Sequence, residues 1–419
     1  MQKIYANFDK LDVSFQGAFP QTVLNQLETA KEAAQLAKSE SLALIGKDKI
    51  KVLVAETGSQ GGYAYRFSTG PDGEIWRVSR SQDTTKWNIN ISVSSMALAL
   101  YGYKQVKNRL YERLNSFNVK FPSTQEEDTK RFSERPIESI ARIDFCVDFI
   151  TDEFKPVLEN FIAHRATKRK ANGTETYSAT SNGKALESIT LGKMPSKQVI
   201  LYNKSLEVRS KSATKKYWWN VWELDPNTFN QQIWRVEARA GKKELKDKWH
   251  LTSFEQVENQ FINLFTNILS TYRYTLPHVQ DTNRARWPNA PFWNEALQAV
   301  KEALNDYNST ASPNRLISGL WDEKYALYLN NIKGNITSLA ALTATEAVNI
   351  PLLLEHIKNE IEEDLQNETA SQALYRKYKK AEERFSLLTR HQTKRGHNYF
   401  SKSTTSRNIT QHEHHHSLR

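Results

Sequence analysis

The sequence predicts an α+β fold built on an antiparallel sheet and followed by a helical C-terminal domain. Short alternating apolar runs, separated by glycine-rich turns, fill most of residues 10–95, a pattern that is typical of strands joined by hairpins. A second group of such runs lies within 138–271, and from about residue 290 the apolar residues recur at helical spacing instead. We expect the two strand-rich regions to form two related halves of one sheet.

The first half, residues 1–117, combines strands with two helices. The run 11–15 alternates as a strand does, and 21–38 and 95–117 carry apolar positions on one helical face. Four further strands are predicted at 50–56, 63–68, 74–80 and 87–93, with turn signals at 58–62 and 70–73.

The remainder of the chain is predicted in four parts. Residues 118–137 are polar and contain Pro122 and Pro136, which favours a linker. The second half, 138–271, has predicted strands at 141–149, 187–192, 197–203 and 232–239 and predicted helices at about 153–166 and 252–270. Residues 290–392 form the helical domain, and 393–419 are expected to be a disordered tail rich in basic residues and histidine.

Charge and cysteine content narrow the class of partner. The 419 residues carry a formal net charge of +11, which favours an anionic partner, nucleic acid first and an anionic membrane surface second. The single cysteine, Cys146, cannot form a disulfide within the chain, and the N-terminus lacks the apolar core of a signal peptide. No stretch reaches the roughly 20 apolar residues that cross a bilayer, so we expect a cytoplasmic protein without a membrane partner.

The strand at 142–149 separates apolar from ionisable side chains. Its alternation places Ile143 and Phe145 on one face and Arg142, Asp144 and Asp148 on the other. Asp144 and Asp148 are four residues apart, about 13 Å along a straight strand, so one ion cannot bind both unless the strand bends. Asp144, in the middle of the strand, is the better metal ligand, although an edge strand with a solvated polar face would show the same pattern.

Two further blocks have the same character. In 234–239 the alternation places Arg235, Glu237 and Arg239 on one face, either as an ion-pair ladder or as a metal ligand among phosphate-binding cations. Tyr202 ends an apolar run and is followed by Lys204 and Glu207. A phenol needs a base, a cation or a metal to become a nucleophile, and a core aromatic with a wet hydroxyl is the alternative.

The order of these blocks resembles the replication-initiator family of small rolling-circle plasmids of the staphylococcal type, including related relaxases of integrative conjugative elements. That family carries an R-(I/L)-D-x-x-x-D-(F/D) strand, then G-x-x-x-S-x-x-x-x-x-Y-x-K-x-x-E, then W-R-V-E. Here the first motif begins at Arg142, the second runs from Gly192 to Glu207, and the third begins at Trp234. The resemblance covers about residues 85–250.

The resemblance implies a nicking domain that cuts and rejoins one DNA strand through a covalent 5′-phosphotyrosine. Tyr202 corresponds to the family's nucleophile, and Asp144 and Glu237 correspond to the ligands that the resemblance implies for Mg²⁺ or Mn²⁺. Asp148, Glu207 and Glu187 are further candidate ligands. Lys204 is expected to assist catalysis, and Arg142, Arg235 and Arg239 to contact DNA. A host helicase and a second copy of the chain are expected partners.

Two basic clusters are candidate DNA contacts. The denser cluster consists of Arg165, Lys168, Arg169 and Lys170. The other joins Lys215 and Lys216 to Trp218 and Trp219, which would either stack on unpaired bases or pack against helices.

Other sites are not predicted, because the chain has no phosphate-binding G-x-x-x-x-G-K-[ST] loop and no Cys/His spacing typical of zinc. A non-catalytic DNA-binding protein on the same fold is the rival interpretation.

Overall fold

One antiparallel sheet of eleven strands organises the chain, in a computed structural model that describes residues 1–125, 132–134, 136–163, 177–182, 185–210, 215–278, 280–281, 283–305 and 313–389. The described ranges contain fifteen strands, and all except β7, β8, β10 and β15 belong to this sheet. They are β1 (Gln2–Gln16), β2 (Ser41–Ile45), β3 (Ile50–Val54), β4 (Tyr65–Ser68), β5 (Glu74–Val78), β6 (Ile89–Val93), β7 (Ser123–Gln125), β8 (Phe132–Glu134), β9 (Ile137–Thr151), β10 (Phe161–Ala163), β11 (Tyr177–Asn182), β12 (Ala185–Gly192), β13 (Lys197–Asn203), β14 (Gln232–Gly241) and β15 (Tyr272–Tyr274). Their order in the large sheet is β11-β12-β13-β14-β9-β1-β6-β5-β4-β3-β2.

The centre of this sheet is the pairing of its two longest strands, β1 and β9, which have 15 residues each. Next to β1 lies β6, and next to β9 lies β14. Outward from these strands the order on each side runs backwards along the chain. The N-terminal strands therefore form one side of the sheet and the later strands form the other.

Nine helices are described in those residue ranges: α1 (Gln21–Ala37), α2 (Ser95–Ser116), α3 (Lys204–Ser210), α4 (Trp218–Val221), α5 (Phe254–Thr271), α6 (Pro291–Glu302), α7 (Pro313–Leu342), α8 (Ile350–Gln366) and α9 (Glu368–Thr389). In α2, Gly102 has a φ of 67°, which glycine adopts at no steric cost, and the helix kinks there. The prediction of an α+β fold with an antiparallel sheet and a C-terminal helical region is confirmed.

The core lies on one face of the sheet, beneath α1, α2, α5 and α6. Helix α5 begins at a capping box, in which the Ser253 side chain accepts from the Gln256 backbone N–H and the Gln256 side chain reaches back. Its buried stripe includes Phe261, whose ring centroid lies 4.8 Å from that of Phe8 and 5.7 Å from that of Phe145. Truncating a phenylalanine buried in this way costs about 3–5 kcal/mol of stability.

Alternation along the central strands leaves the other face of the sheet polar. In β9, Ile143, Phe145, Val147 and Phe149 enter the core, whereas Arg142 and Asp144 lie on the opposite face. The division of side chains predicted for this strand is therefore confirmed. This polar face carries the candidate site.

Two predicted segments differ from the structure. The helix predicted at 153–166 is wrong over its described part, 153–163, because residues 158–160 form a single 3₁₀ turn that leads into β10, and β10 pairs with β15. Pro156 explains the difference, since it excludes its predecessor from helical geometry and cannot donate a backbone N–H. The stretch 118–137, expected to be a linker, holds the hairpin of β7 and β8 in its described part.

The start of the helical region belongs to the core of the sheet. In α6, Phe292 and Trp293 are buried in the main core, and Trp293 Nε1 donates to the Leu269 carbonyl at 2.9 Å. Among the described helices, none is both long and apolar enough to span a bilayer.

Candidate active site

A cleft of about 490 Å³ opens on the polar face of the sheet where β13, β14, β9 and β1 lie side by side. The strand register explains why the three sequence blocks meet there. Tyr202 on β13 lies opposite Arg235 on β14, and Arg239 on β14 lies opposite Asp144 on β9. Ten of the predicted residues line the cleft: Arg142, Asp144, Glu187, Tyr202, Lys204, Glu207, Lys215, Trp218, Glu237 and Arg239.

Tyr202 is held by a carboxylate and approached by an ammonium group. Its hydroxyl donates to Glu237 Oε2 at 2.9 Å, and Lys204 Nζ lies 3.4 Å from the same hydroxyl. Burial, together with the negative charge of Glu237, raises the pKa of Tyr202 well above its ordinary value. Burial and the nearby Arg235 lower the pKa of Lys204. Tyr202 is thus a neutral phenol whose proton points at a carboxylate.

Glu237 and Asp144 share Arg239 between them. Arg239 Nε donates to Glu237 Oε1 at 2.7 Å and lies 3.7 Å from Asp144 Oδ2. Burial acts to raise the pKa of Glu237, but Arg239 outweighs it and lowers that pKa below its ordinary value. Glu237 is therefore a carboxylate at neutral pH.

Asp144 has the opposite balance. Its side chain is almost completely buried, and Arg142 donates to it in a fork, with Nη2 at 2.5 Å from Oδ2. Burial outweighs this fork and, with the neighbouring charge of Glu237, raises the pKa of Asp144 to about 7. Asp144 therefore keeps its proton up to about neutral pH, whereas the neighbouring Glu237 is ionised.

This donor set fits a hard divalent cation. Mg²⁺ binds through one or two carboxylates and completes its shell with water and substrate phosphates. Asp144 and Glu237 supply two oxygen-donor groups, and a cation would offset the burial, and the lesser repulsion from Glu237, that raise the pKa of Asp144. Within the ranges that the structure describes, no three His, Cys, Asp or Glu side chains form a closed metal cage. A metal here would therefore take the rest of its shell from water or a bound ligand.

Asp148 lies in a separate, closed network. Arg235 donates to Asp148 through Nε at 2.6 Å and Nη2 at 2.8 Å, and Trp222 Nε1 donates to Asp148 at 2.8 Å. Asp148 does not line the cleft, and Arg235 has 0% exposure. The structure thus corrects two expectations: Asp148 lies outside the cleft in which a metal would bind, and the buried Arg235 cannot reach DNA, because the two residues pair with each other inside the protein.

Asp9 is a site residue that the sequence analysis missed. It lies at a bulge where β1 shifts register against β9, lines the cleft, and accepts from Arg235 Nη1 at 2.8 Å. Burial raises the pKa of Asp9 above its ordinary value although Arg235 opposes this. A signal for it exists in the sequence: apolar residues step by three from Phe8 to Leu11 and then by two to Val13, and an extra residue of this kind marks a bulge.

Glu207 lines the cleft but is already paired with two lysines. Lys204 Nζ donates to it at 2.6 Å and Lys215 Nζ at 2.5 Å. Although burial opposes them, these ammonium groups lower the pKa of Glu207 to about 2. Lys215 lines the same cleft, whereas Lys216 is exposed outside it. Glu207 is thus better suited to orienting Lys204 than to binding a metal.

The tryptophans expected to stack on DNA are packed inside the protein. Trp218 is 1% exposed and Trp219 is 5% exposed, and both belong to a second apolar cluster with Val208 and Leu316. The ring of Trp218 lies 4.1 Å from the Arg235 guanidinium and 5.1 Å from Lys204 Nζ, which makes it a wall for both cations. The structure therefore favours the packing alternative for this cluster. The predicted contacts Arg165, Lys168, Arg169 and Lys170, and the tail 393–419, lie outside the described residues.

Comparisons with known proteins give limited information. No protein-family model matches the chain, and no curated protein sequence matches it. Among solved structures, the chain is similar to a rolling circle replication initiator protein from Geobacillus stearothermophilus. The identity is 13% and the TM-score 0.36, over 71% of this chain and 97% of the other. At that level of similarity, the function of this chain has to be argued from its own site.

Proposed function

We propose that this protein is a metal-dependent DNA nicking-closing enzyme that initiates rolling-circle replication at an origin. The observation that carries the proposal is the hydrogen bond from Tyr202 to Glu237, beside Lys204 and in one cleft with Asp144 and two arginines. A nucleophile, a base and an orienting cation within hydrogen-bond reach are the parts that covalent catalysis needs. The net charge of +11 supports a polyanionic substrate.

In this mechanism Glu237 is the general base. It is a carboxylate because Arg239 lowers its pKa, and it already accepts the Tyr202 proton at 2.9 Å. As the proton moves to Glu237, the Tyr202 oxygen attacks the scissile phosphorus and the bond from phosphorus to the 3′-oxygen breaks. That oxygen takes up a proton from water and leaves as a 3′-hydroxyl, Glu237 returns its proton to solvent, and the 5′-phosphate remains esterified to Tyr202. Attack by a 3′-hydroxyl reverses the step, so rejoining needs no ATP.

Cations of this chain stabilise the charges that develop. Lys204 Nζ, 3.4 Å from the Tyr202 oxygen, stabilises the forming phenolate, and Glu207 holds that ammonium group in place. Arg142 and Arg239 are partly exposed at the wall of the cleft, where their remaining N–H groups can donate to phosphate oxygens.

Asp144 and Glu237 are the residues that would hold Mg²⁺ or Mn²⁺. The ion, when bound, polarises the scissile phosphate and offsets its growing negative charge. Asp9 lies near the charges of the cleft that holds Asp144 and Glu237: after burial and Arg235, the charge of Glu237 also acts on the pKa of Asp9. Asp9 accepts a hydrogen bond from Arg235 and so helps to hold that arginine in place. A conjugative or mobilisation relaxase would use the same chemistry, so that role is the alternative within this class.

We also infer that the two sides of the sheet are related halves. The supporting observation is the strand order: β1 is followed outward by β6 to β2, and β9 by β14 to β11, with the same antiparallel sense. Only the second half carries the tyrosine and the two carboxylates at its centre.

A covalent-trapping assay tests the proposed function. Wild type and Tyr202→Phe are incubated with Mn²⁺ and single-stranded DNA from the element's origin region, and protein–DNA adducts are resolved by denaturing electrophoresis. We expect an EDTA-sensitive adduct with wild type and none with Tyr202→Phe. Tyr217→Phe is the matched control, because Tyr217 is buried beside the cleft and its hydroxyl is hydrogen-bonded to Ser95 at 2.7 Å. An adduct with Tyr202→Phe would assign a different nucleophile, and DNA binding without any adduct would favour a non-catalytic binding protein.

A further inference from the structure

The polar face of the sheet does not end at the cleft. It continues across β1, β6, β5 and β4 as a band of half-buried side chains that we call the polar strip: Lys10, Asp12, Ser14, Arg66, Arg77 and Asn90. Lys10 and Arg142 belong to the lining of the cleft, and Arg142 lies opposite Asp12 in the register of β9 and β1. The strip therefore begins where the candidate active site ends.

Hydrogen bonds between strands hold this strip in order. Lys10 Nζ donates to Ser92 Oγ at 2.5 Å, and Ser92 donates to Asp12 at 2.6 Å. One step further along the strands, Arg77 Nη1 donates to Asn90 Oδ1 at 2.8 Å, and Asn90 Nδ2 donates to Ser14 at 3.1 Å. Each side chain still presents part of its polar surface outward, because α1, α2 and α5 cover the opposite face.

The far end of the strip holds two arginines in an unfavourable pairing. Arg66 on β4 lies directly opposite Arg77 on β5, and residues paired in this way point to the same face. Like charges in directly opposite positions destabilise a sheet. Among the described residues Arg66 has no carboxylate partner, and Asn90 is the acceptor for Arg77. An anion bound between these guanidinium groups would relieve the repulsion.

Aromatic side chains border the same end. Burial raises the pKa of Tyr63, while Arg77 and a hydrogen bond with Ser14 oppose the rise, so the Tyr63 hydroxyl lies at the strip. That hydroxyl also contacts the Trp87 carbonyl at 3.4 Å, and Trp87 itself is 43% exposed. The Trp87 backbone is thus tied through Tyr63 to this end of the strip, and an exposed tryptophan offers an aromatic face on which unpaired bases stack.

We propose that the polar strip binds the single-stranded DNA that flanks the nick, with Arg66 and Arg77 on phosphates and Trp87 stacked on a base. This inference rests on the proposed function, since it assigns a path to that function's substrate. From β13, which carries Tyr202, to β4, which carries Arg66, the sheet has six strand spacings, or about 29 Å, enough for several nucleotides between Tyr202 and Arg66. Stacking on Trp87 requires an unpaired base, which duplex DNA does not offer.

The test measures binding of a fluorescein-labelled single-stranded 30-mer by anisotropy between 50 and 300 mM KCl. The variant Arg66→Gln/Arg77→Gln should lower the slope of log affinity against log salt by about 1.4, because each phosphate contact on a single strand contributes about 0.7. Arg80→Gln is the matched control: Arg80 is a nearby exposed arginine that pairs with Glu28 at 2.6 Å, off the strip. Its slope should equal that of wild type.

Two further measurements separate binding from folding. Removing the opposed arginines should leave the melting temperature unchanged or raise it, so lost binding would not reflect unfolding. Trp87→Ala should weaken single-strand binding about tenfold with no change in salt slope, because stacking carries no counterion release. Trp87→Phe should recover most of that loss.

The outcomes distinguish this proposal from the proposed function. A wild-type slope in Arg66→Gln/Arg77→Gln overturns the polar strip as a DNA path, whatever the trapping assay shows. A reduced slope for duplex DNA alone overturns the single-strand assignment. If the slope falls for single strands but wild type forms no Tyr202 adduct, the nicking function fails while the binding path stands.

Discussion

Asp144→Asn should stabilise the folded protein at alkaline pH while it removes the proposed metal site. The Asp144 carboxylate is almost completely buried, and burial with the charge of Glu237 raises its pKa from 3.8 to about 7. The folded state therefore resists the charge that Asp144 carries in water. An asparagine of nearly the same shape has no charge to bury.

The magnitude follows from the two pKa values. A rise from 3.8 to about 7, at 1.36 kcal/mol per pKa unit, corresponds to roughly 4 kcal/mol of stability lost on full ionisation. The asparagine also loses charge-assisted hydrogen bonds from Arg142, at about 1.5–3 kcal/mol. Arg239 keeps Glu237 as its partner. We expect a net gain of about 1–2 kcal/mol in unfolding free energy at pH 8.

The raised pKa also fixes the direction in which stability changes with pH. A carboxyl group with a raised folded-state pKa keeps its proton when folded and loses it when unfolded between the two pKa values, so wild-type stability falls as pH rises from about 4 to about 7. The advantage of Asp144→Asn should therefore grow over that window and level off above pH 7. Urea denaturation at pH 5, 6, 7 and 8 in EDTA, followed by circular dichroism, measures it.

Divalent ions should reverse the order of stability of wild type and Asp144→Asn. Mg²⁺ at 100 times its Kd adds about 2.7 kcal/mol to a protein that binds it only when folded. Wild type should gain this stability and Asp144→Asn should not. The reasoning would be refuted if Asp144→Asn were less stable than wild type by the same amount at pH 5 and at pH 8. Asp144 would then be an ionised carboxylate whose burial is fully offset by its arginine partners. Equal Mg²⁺ stabilisation of both proteins would remove Asp144 from the metal site.

Three further predictions concern the network around Tyr202. Glu237→Gln should slow adduct formation about 10²- to 10⁴-fold, and the residual rate should rise with pH as solvent takes the proton; a wild-type rate in a single-turnover nicking assay would exclude Glu237 as the base. Arg235→Met should destabilise the protein by about 3–5 kcal/mol, since Asp148 stays buried without its partner, and adding Asp148→Asn should restore much of that loss in thermal melts. Lys204→Met should reduce the trapping rate at pH 7 more than at pH 10, because the pKa of Lys204 is lowered and wild type itself loses part of this charge at high pH; equal losses at both pH values would contradict a phenolate-stabilising role.

Local pattern was sufficient for most secondary structure. The helix predicted at 252–270 is α5, and the strand predicted at 197–203 is β13, because an amphipathic stripe and a period of two are properties of neighbouring residues. The same reasoning failed at 153–166, because the predicted helix did not take account of Pro156, and the described part of this segment forms a 3₁₀ turn and β10. It also stopped β1 short, since the bulge near Asp9 interrupts the alternation.

The sequence by itself determined which residues of each strand are ionisable and that they share a face, because alternation fixes a side chain's face wherever its strand lies. Which strands pair, and in what register, was decided only by the tertiary structure. The register of β9 against β14 gives Asp148 to Arg235 and leaves Asp144 beside Arg239, although both aspartates belong to one motif. Tertiary packing likewise buries Trp218 in an apolar cluster, and the bulge in β1 places Asp9 in the lining of the cleft. These outcomes depend on contacts between residues as far apart as Asp9 and Arg235, and no local periodicity records such contacts.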